Sequence, residues 1–273
     1  MQSTSLMTKA ETYGRALYQA LRDCRTVRPL IEQDPSLTID DAYAISLELL
    51  AQRLGDGERV VGKKIGATSK AVQDMLGVHQ PDFGFLTDWM HVAGDIDVAA
   101  KALIAPRAEA EIAFILREGL AGPGVTAADV LAATECIAPC FEIVDSRITD
   151  WKIAIIDTVA DNASCGVFVI GEERLDPREY NLPGLHVAVT KNGAPLSEGL
   201  GSAVQGDPAQ SVAWLANTLG AYGVTLDAGD IILSGSLVPL APAAKGDVFE
   251  MILSNKVPGE GGQPIGRCTA RFV

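Results

Sequence analysis

Glu109 and Glu111 lie one residue apart in the otherwise apolar run Pro106-Arg107-Ala108-Glu109-Ala110-Glu111-Ile112-Ala113-Phe114-Ile115-Leu116. In a strand, side chains alternate, so the two glutamates share a face with Cα atoms roughly 6.6 to 6.8 Å apart, and Ala110, Ile112, Phe114 and Leu116 form the other, apolar face. In a helix they would diverge. Like charges so placed repel. If buried, one carboxyl must stay protonated or both must share a cation; if exposed, the pair is an ordinary wet strand face, and this stretch alone leaves both open. A third carboxylate, Glu142, lies in the second apolar run Pro139-Cys140-Phe141-Glu142-Ile143-Val144-Asp145, on one face with Cys140 and Val144. With Glu109 and Glu111 it completes an all-oxygen set suited to Mg2+ or Mn2+, hard cations that keep positions open for water or substrate.

Other chemistry-bearing residues are less decisive. Val60-Val61-Gly62-Lys63-Lys64-Ile65-Gly66 sends its two lysines to opposite strand faces, so at most one need point inward, and a lysine is solvated by default. Gln80-Pro81-Asp82-Phe83-Gly84 reads as a turn that Asp82 could merely brace. The Ser164-Cys165 pair invites a nucleophile hypothesis, but there is no G-x-S-x-G elbow and no histidine nearby in sequence. Cys136 and Cys140 lack a second pair of soft ligands, and His79, His91 and His186 form no metal-type pair, which argues against structural zinc. No dinucleotide or P-loop pattern occurs; Gly199-Leu200-Gly201 fails on its downstream spacing.

The elements that must position these residues divide into a helical part and a strand-rich part. Thr8 with Glu11 opens a helix carrying Tyr13, Leu17, Ala20 and Leu21 on one face; Thr38 with Asp41 opens a second, with Tyr43, Leu47, Leu50 and Leu54 repeating and Gly55 at its end. Residues 1–58 form a small N-terminal lobe on this reading, with 1–7 a loose leader and Met7 an alternative start, and 59–273 form the catalytic domain. There, Val60–Gly66 is a strand, Ser69–Leu76 a short helix ending at Gly77, and Thr126 with Asp129 starts a helix running to about Cys136. Trp151–Ile156 is amphipathic or irregular. Strands follow at Val167–Ile170 and Leu185–Thr190, a hairpin at Asn192-Gly193, a helix from Asp207-Pro208, and strands at Ile231–Leu233, Val248–Leu253 and Cys268–Val273.

The bulk composition narrows the function. The chain has 273 residues, 48% hydrophobic, enough for one large domain or two modest ones. A formal net charge of −13 argues against a nucleic-acid or polybasic membrane surface and fits a charge-neutral or metal-chelated small molecule. No apolar run nears the ~20 residues of a membrane span and the N-terminus lacks a signal-peptide core, so the expected compartment is the cytoplasm. Five scattered cysteines, an odd number, read as reduced thiols.

Several segments together resemble the fumarylacetoacetate hydrolase superfamily: Pro106 to Glu111, Phe141-Glu142-Ile143-Val144-Asp145-Ser146-Arg147, Asp157-Thr158-Val159-Ala160-Asp161-Asn162-Ala163-Ser164 and Gly229-Asp230-Ile231-Ile232-Leu233-Ser234-Gly235. The resemblance runs from about Thr8 to the C-terminus and is closest to the hydratase and decarboxylase branch of aromatic meta-cleavage pathways. Val61 to Gly66, Gly77-Val78-His79-Gln80-Pro81-Asp82-Phe83-Gly84 and Ser164-Cys165-Gly166 add to it; the loop Asn255 to Pro264 is longer than the branch leads one to expect.

The resemblance implies an α+β fold with a mixed β-roll core and a small helical N-terminal lobe, and Mg2+ or Mn2+ held by Glu109, Glu111 and Glu142. It implies a 2-hydroxydienoate substrate, or its 2-oxo tautomer, chelating through the C1 carboxylate and C2 oxygen, with protonation at C5 and then water addition at C4. By the same similarity Lys64 and Asp82 handle protons, Ser164 and Ser236 hold substrate, and the lysine's charged form is disfavoured beside the cation. Whether Lys63 or Lys64 points inward stays open. A homo-oligomer, pentamer or decamer, is implied, as is association with a decarboxylase or a downstream aldolase. Two rivals are decarboxylation of a 2-oxo-hexenedioate on the same metal site and a non-catalytic partner role beside that decarboxylase. A carbon–carbon hydrolase fits less well, because the histidine and glutamate it needs to activate water are missing from the expected helical segment.

Overall fold

Local sequence signals build the helical lobe. The computed structural model describes residues 7–70, 73–74, 77–255 and 262–273. Thr8 with Glu11 and Thr38 with Asp41 form reciprocal capping boxes that start α1 (Lys9–Arg22) and α3 (Ile39–Gly55), and the short α2 (Leu30–Gln33) lies between them. The two long helices bury Leu17, Ala42, Ile45 and Leu49 in a cluster of their own with Leu30 and Leu37, closed from the other side by Ile148, Val159 and Ala160. In α3 the expected stripe is only half right: Leu50 is buried and Tyr43 partly so, but Leu47 and Leu54 are 51% and 41% exposed. The helix turns Ala42, Ile45, Leu49 and Arg53 inward instead, because a strict seven-residue stripe drifts around a straight 3.6-residue helix.

The remaining chain forms two sheets. Their strands are β1 (Val60–Gly66), β2 (Asp82–Thr87), β3 (His91–Val92), β4 (Asp95–Ile96), β5 (Arg107–Leu116), β6 (Thr134–Val144), β7 (Cys165–Ile170), β8 (Leu185–Lys191), β9 (Ala194–Leu200), β10 (Ile231–Leu233), β11 (Ala241–Pro242), β12 (Val248–Asn255) and β13 (Gln263–Phe272). An eight-stranded mixed sheet runs β2-β1-β10-β5-β6-β7-β3 with β11 added to β5, and a five-stranded sheet runs β4-β13-β12-β8-β9. The helices of this part are α4 (Ala127–Ala133), α5 (Ile155–Ala160) and α6 (Pro208–Gly220). Ala110, Ile112, Phe114 and Leu116 of β5 enter the main core with Phe141, Val187, Leu215, Phe249 and Met251, so the curled sheet, the second sheet and α6 share one apolar interior. The opposite face of β5 carries Glu109, Glu111 and Ala113, over a smaller cluster of Leu86, Met90, Cys140, Cys165, Phe168 and Leu233.

Two boundaries differ from expectation. The 80–84 turn is the start of a strand: Asp82 and Phe83 pair with Gly66 and Ile65 in an antiparallel ladder, which overrides the turn propensity of proline and glycine. α4 stops at Ala133, and Cys136 stands in β6 opposite Ile115, since a long partner strand recruits residues that local periodicity assigned to the helix. The expected helix Ser69–Leu76 falls partly on residues 71, 72, 75 and 76, the leader on 1–6, and the long C-terminal loop on 256–261, all outside the described residues.

Candidate metal centre and active site

β5 and β6 bring the three glutamates together by register. Glu109 is directly opposite Glu142 and Glu111 is opposite Cys140, so all three side chains project from the same face. One carboxylate oxygen from each lies within 4.8 Å of the others. Glu111 and Glu142 are fully buried; Glu109 is half-buried. Glu111 Oε2 accepts the Gly235 N–H at 2.8 Å, but its Oε1 and Glu142 Oε2 accept no hydrogen bond, and Glu142 Oε1 meets only the Lys64 ammonium, 3.0 Å away. Buried carboxylate oxygens without donors are suited to ligate a cation, and the three converging carboxylates fit an all-oxygen divalent site.

Both lysines of β1 are buried, against the expectation that one of them faces solvent. Alternation still holds, but the sheet is covered on both faces. Lys63 Nζ contacts Asp230 at 2.5 Å, and Asp230 also accepts the Asp227 N–H. Lys64, on the other face, sits 3.0 Å from Glu142 Oε1 and donates to the Ala163 carbonyl at 2.9 Å. Lys64 is thus the lysine turned toward the glutamates. Asp82 is 3% exposed, and its Oδ1 accepts no hydrogen bond. A Cβ at Gly66 would stand 2.2 Å from that oxygen and 3.3 Å from Lys64 Nζ, so the absent side chain is the space in which these two groups meet.

Four acids around one lysine distort every protonation equilibrium. Burial pushes the Glu109 carboxyl up to about 7, helped by the neighbouring charge of Glu142. Burial raises Glu111 further, and raises Glu142 and Asp82 against the pull of Lys64. For Lys64 burial disfavours the charge, yet Glu142 and Asp82 outweigh it and hold the ammonium well above its ordinary range. The lysine is therefore charged among these acids, while burial by itself acts to lower its pKa.

The two serines are each paired. Ser164 Oγ is 3.1 Å from Thr158 Oγ1, and Ser236 Oγ donates to the Val238 carbonyl, one residue beyond the Gly235 N–H that holds Glu111. A cavity of about 510 Å³ lined by Thr68, Gln73, His79, Pro81, Gln205 and Trp214 adjoins the centre through Pro81, next to Asp82, and Thr68, packed against Gly235. Sequence reasoning missed Asp230 as the counter-charge of Lys63, Gly66 as the vacancy beside Asp82, and Asn162, whose amide joins β2. Only the Gly66 position carried a signal, as a strand-terminal glycine beside two lysines.

A curled mixed sheet presenting clustered acids beside a buried lysine is an arrangement that could hold a divalent cation. The chain belongs to the fumarylacetoacetate hydrolase family, matching the fumarylacetoacetate (FAA) hydrolase C-terminal family over residues 64–273. It is 60% identical over 265 residues to the 2-hydroxyhexa-2,4-dienoate hydratase of Comamonas testosteroni, covering 96% of this chain and 97% of that protein. It is 59% identical over 212 residues to the 2-hydroxypent-2,4-dienoate hydratase of Pseudomonas putida, covering 77% and 96%. Among solved structures it is similar to the 4-oxalocrotonate decarboxylase from Pseudomonas putida G7 complexed with magnesium and adipate, with a TM-score of 0.90, 33% identity and coverage of 98% and 99% of the two chains.

Proposed function

We propose that this chain is a metal-dependent hydro-lyase that adds water to 2-hydroxypenta-2,4-dienoate (2-oxopent-4-enoate), giving 4-hydroxy-2-oxopentanoate in the meta-cleavage degradation of aromatic compounds. The observation that carries the reading is the set of converging glutamates with unpartnered oxygens beside Lys64 and Asp82, in a chain 60% identical to a 2-hydroxydienoate hydratase. Glu109, Glu111 and Glu142 are the proposed ligands of Mg2+ or Mn2+; the magnesium complex of the similar decarboxylase supports a divalent ion. When bound, that ion supplies Lewis-acid stabilisation of the negative charge that builds on the substrate's C2 oxygen.

Lys64 and Asp82 move the protons. The 2-hydroxyl proton leaves to the base of this pair while a proton is delivered to C5, forming the conjugated 2-oxo-3-enoate. Water then adds at C4, giving up one proton to the pair as another reaches C3, so the sum is one water per dienoate. The buried lysine and aspartate suit this exchange because each can hold or release a proton without solvent competing. Ser164 and Ser236 are the proposed substrate-holding hydroxyls, paired here with Thr158 Oγ1 and the Val238 carbonyl.

Decarboxylation of a 2-oxo-hexenedioate is the second reading, favoured by the likeness to the decarboxylase. The test is to give purified protein each substrate with Mg2+ and after EDTA. Loss of dienoate absorbance with formation of 4-hydroxy-2-oxopentanoate, abolished by EDTA, is the expected result. Release of CO2 from the dioate with no hydration of the dienoate overturns it.

The same proposal includes a cytoplasmic homo-oligomer, a pentamer or decamer, that associates with a decarboxylase or downstream aldolase, and a division into the lobe 1–58 and the catalytic domain 59–273. Five free thiols support a reducing compartment. Leu196 and Leu200, exposed on edge strand β9, support self-association. The packing of α1 on α3 through Leu17, Ala42, Ile45 and Leu49 supports the division, with Ile148, Val159 and Ala160 of the second part completing that cluster.

A further inference from the structure

The most unusual backbone among the described residues is Asn162-Ala163-Ser164, three successive non-glycine residues in the left-handed region with φ of 54°, 51° and 54°. L-residues adopt that region singly and at a cost, and runs of it persist only where surrounding structure enforces them. Two contacts enforce this one. The Asn162 side chain reads the edge of β2 as another strand would: its Oδ1 accepts the Phe85 N–H at 2.8 Å and its Nδ2 donates to the Phe85 carbonyl at 2.9 Å. Beside it, Gly84 admits the arch, because a Cβ there would stand 2.5 Å from the Asn162 carbonyl oxygen.

Gly84 is the register partner of Lys64 in the β1–β2 ladder. The arch therefore crosses β2 at the level of the lysine, and its middle carbonyl, Ala163 O, accepts the Lys64 ammonium at 2.9 Å. With Glu142 at 3.0 Å, this occupies two of the three N–H directions.

We propose that Asn162 is a positioning residue for Lys64: by clamping the left-handed arch to Phe85 it fixes the Ala163 carbonyl, which aims the third N–H of the lysine toward the space shared with Asp82. The proposal rests on the reading of Lys64 as a proton carrier. The Asn162 amide bonds only to the Phe85 backbone, so it acts on the lysine through the arch.

The test is a double-mutant cycle on the full chain with Mg2+ and 2-hydroxypenta-2,4-dienoate. Asn162→Gly removes the clamp while tolerating positive φ, so it separates loss of the amide from backbone strain. The expected result is a kcat lower by roughly 10- to 100-fold, as for a misaimed catalytic group, with KM changed less than about threefold. In a Lys64→Ala background the same substitution is expected to change kcat by less than about threefold, because the group it positions is already gone. Asn162→Asp, which keeps the Phe85 N–H acceptor, is expected to fall between wild type and Asn162→Gly and serves where the glycine variant does not fold. Wild-type kcat in both single variants, or a full multiplicative loss in the Lys64→Ala background, overturns the proposal. Full activity of Lys64→Ala alone overturns the proton-carrier reading first, and so distinguishes the two failures.

Discussion

The protein buries charge in two very different ways. Arg147 is 2% exposed, and four of its five guanidinium N–H groups are engaged: Nε to Asp161 Oδ1 at 2.5 Å, Nη1 to the carbonyls of Asp145 and Cys165 at 2.6 and 2.9 Å, and Nη2 to the Asp161 carbonyl at 2.6 Å. Asp161 is equally committed, its Oδ2 accepting from the Arg147 N–H and Ser146 Oγ. At the glutamate centre the opposite holds: four acids face one lysine, and oxygens of Glu111, Glu142 and Asp82 have no donor. A saturated buried ion pair is a brace. An unsaturated cluster, which destabilises the chain that carries it, persists for what it binds.

Four measurements break or sharpen that contrast. The largest effect is expected at the unsaturated centre. Glu111→Gln should lower hydration at least about a thousandfold, the several kcal/mol of charge stabilisation a Lewis acid contributes, yet leave the cation-free protein as stable or more stable in thermal unfolding, since the like-charge repulsion from Glu142 and Glu109 is relieved. Marked destabilisation with activity retained would make the cluster a brace too. At the saturated pair, Arg147→Met should cost about 3 to 5 kcal/mol in denaturant unfolding by stranding Asp161, with kcat per folded molecule unchanged.

Gly66→Ala is intermediate. Its methyl would stand 2.2 Å from Asp82 Oδ1, and about a hundredfold loss of kcat is expected from displacing that carboxylate, while the Mg2+ affinity stays close to wild type. A normal rate would show that Asp82 does not work from this position.

The smallest effect is a pH dependence. The Glu109 carboxyl, raised from 4.5 to about 7, stabilises the cation-free fold most below pH 4.5, and that contribution is lost as pH rises to about 7. Cation binding has to expel the same proton, so Mg2+ affinity should rise up to about tenfold per pH unit for this group below 7, and go on rising above it while Glu111, held higher still, keeps a proton. Calorimetric titration across pH 5.5 to 8 measures this, and a flat profile would place the proton elsewhere.

Sequence reading reached far into this centre but stopped at particular contacts. The alternation of Glu109 and Glu111 against Ala110, Ile112 and Phe114 assigned them one face, and Glu142 could be placed on a like face of another strand, because period two is a local property. Three capping boxes were equally legible, since their donors and acceptors lie within three residues. Leu47 was misjudged because which stripe of α3 turns inward depends on where Ile148, Val159 and Ala160 arrive from the other end of the chain.

What the sequence determined by itself is the chemical inventory: an oxygen-only ligand set, two adjacent lysines on opposite faces, an aspartate after a proline, and family membership written in several weak motifs together. What only the tertiary structure decided is pairing. Glu109 meets Glu142 through the register of β5 on β6, Lys63 finds Asp230 across 167 residues, and Lys64 rather than Lys63 meets the glutamates. The physical reason is range. Side-chain alternation and caps are enforced by the neighbouring peptide bonds, whereas strand register and the burial of a charge are set by the whole core, which no window of sequence contains.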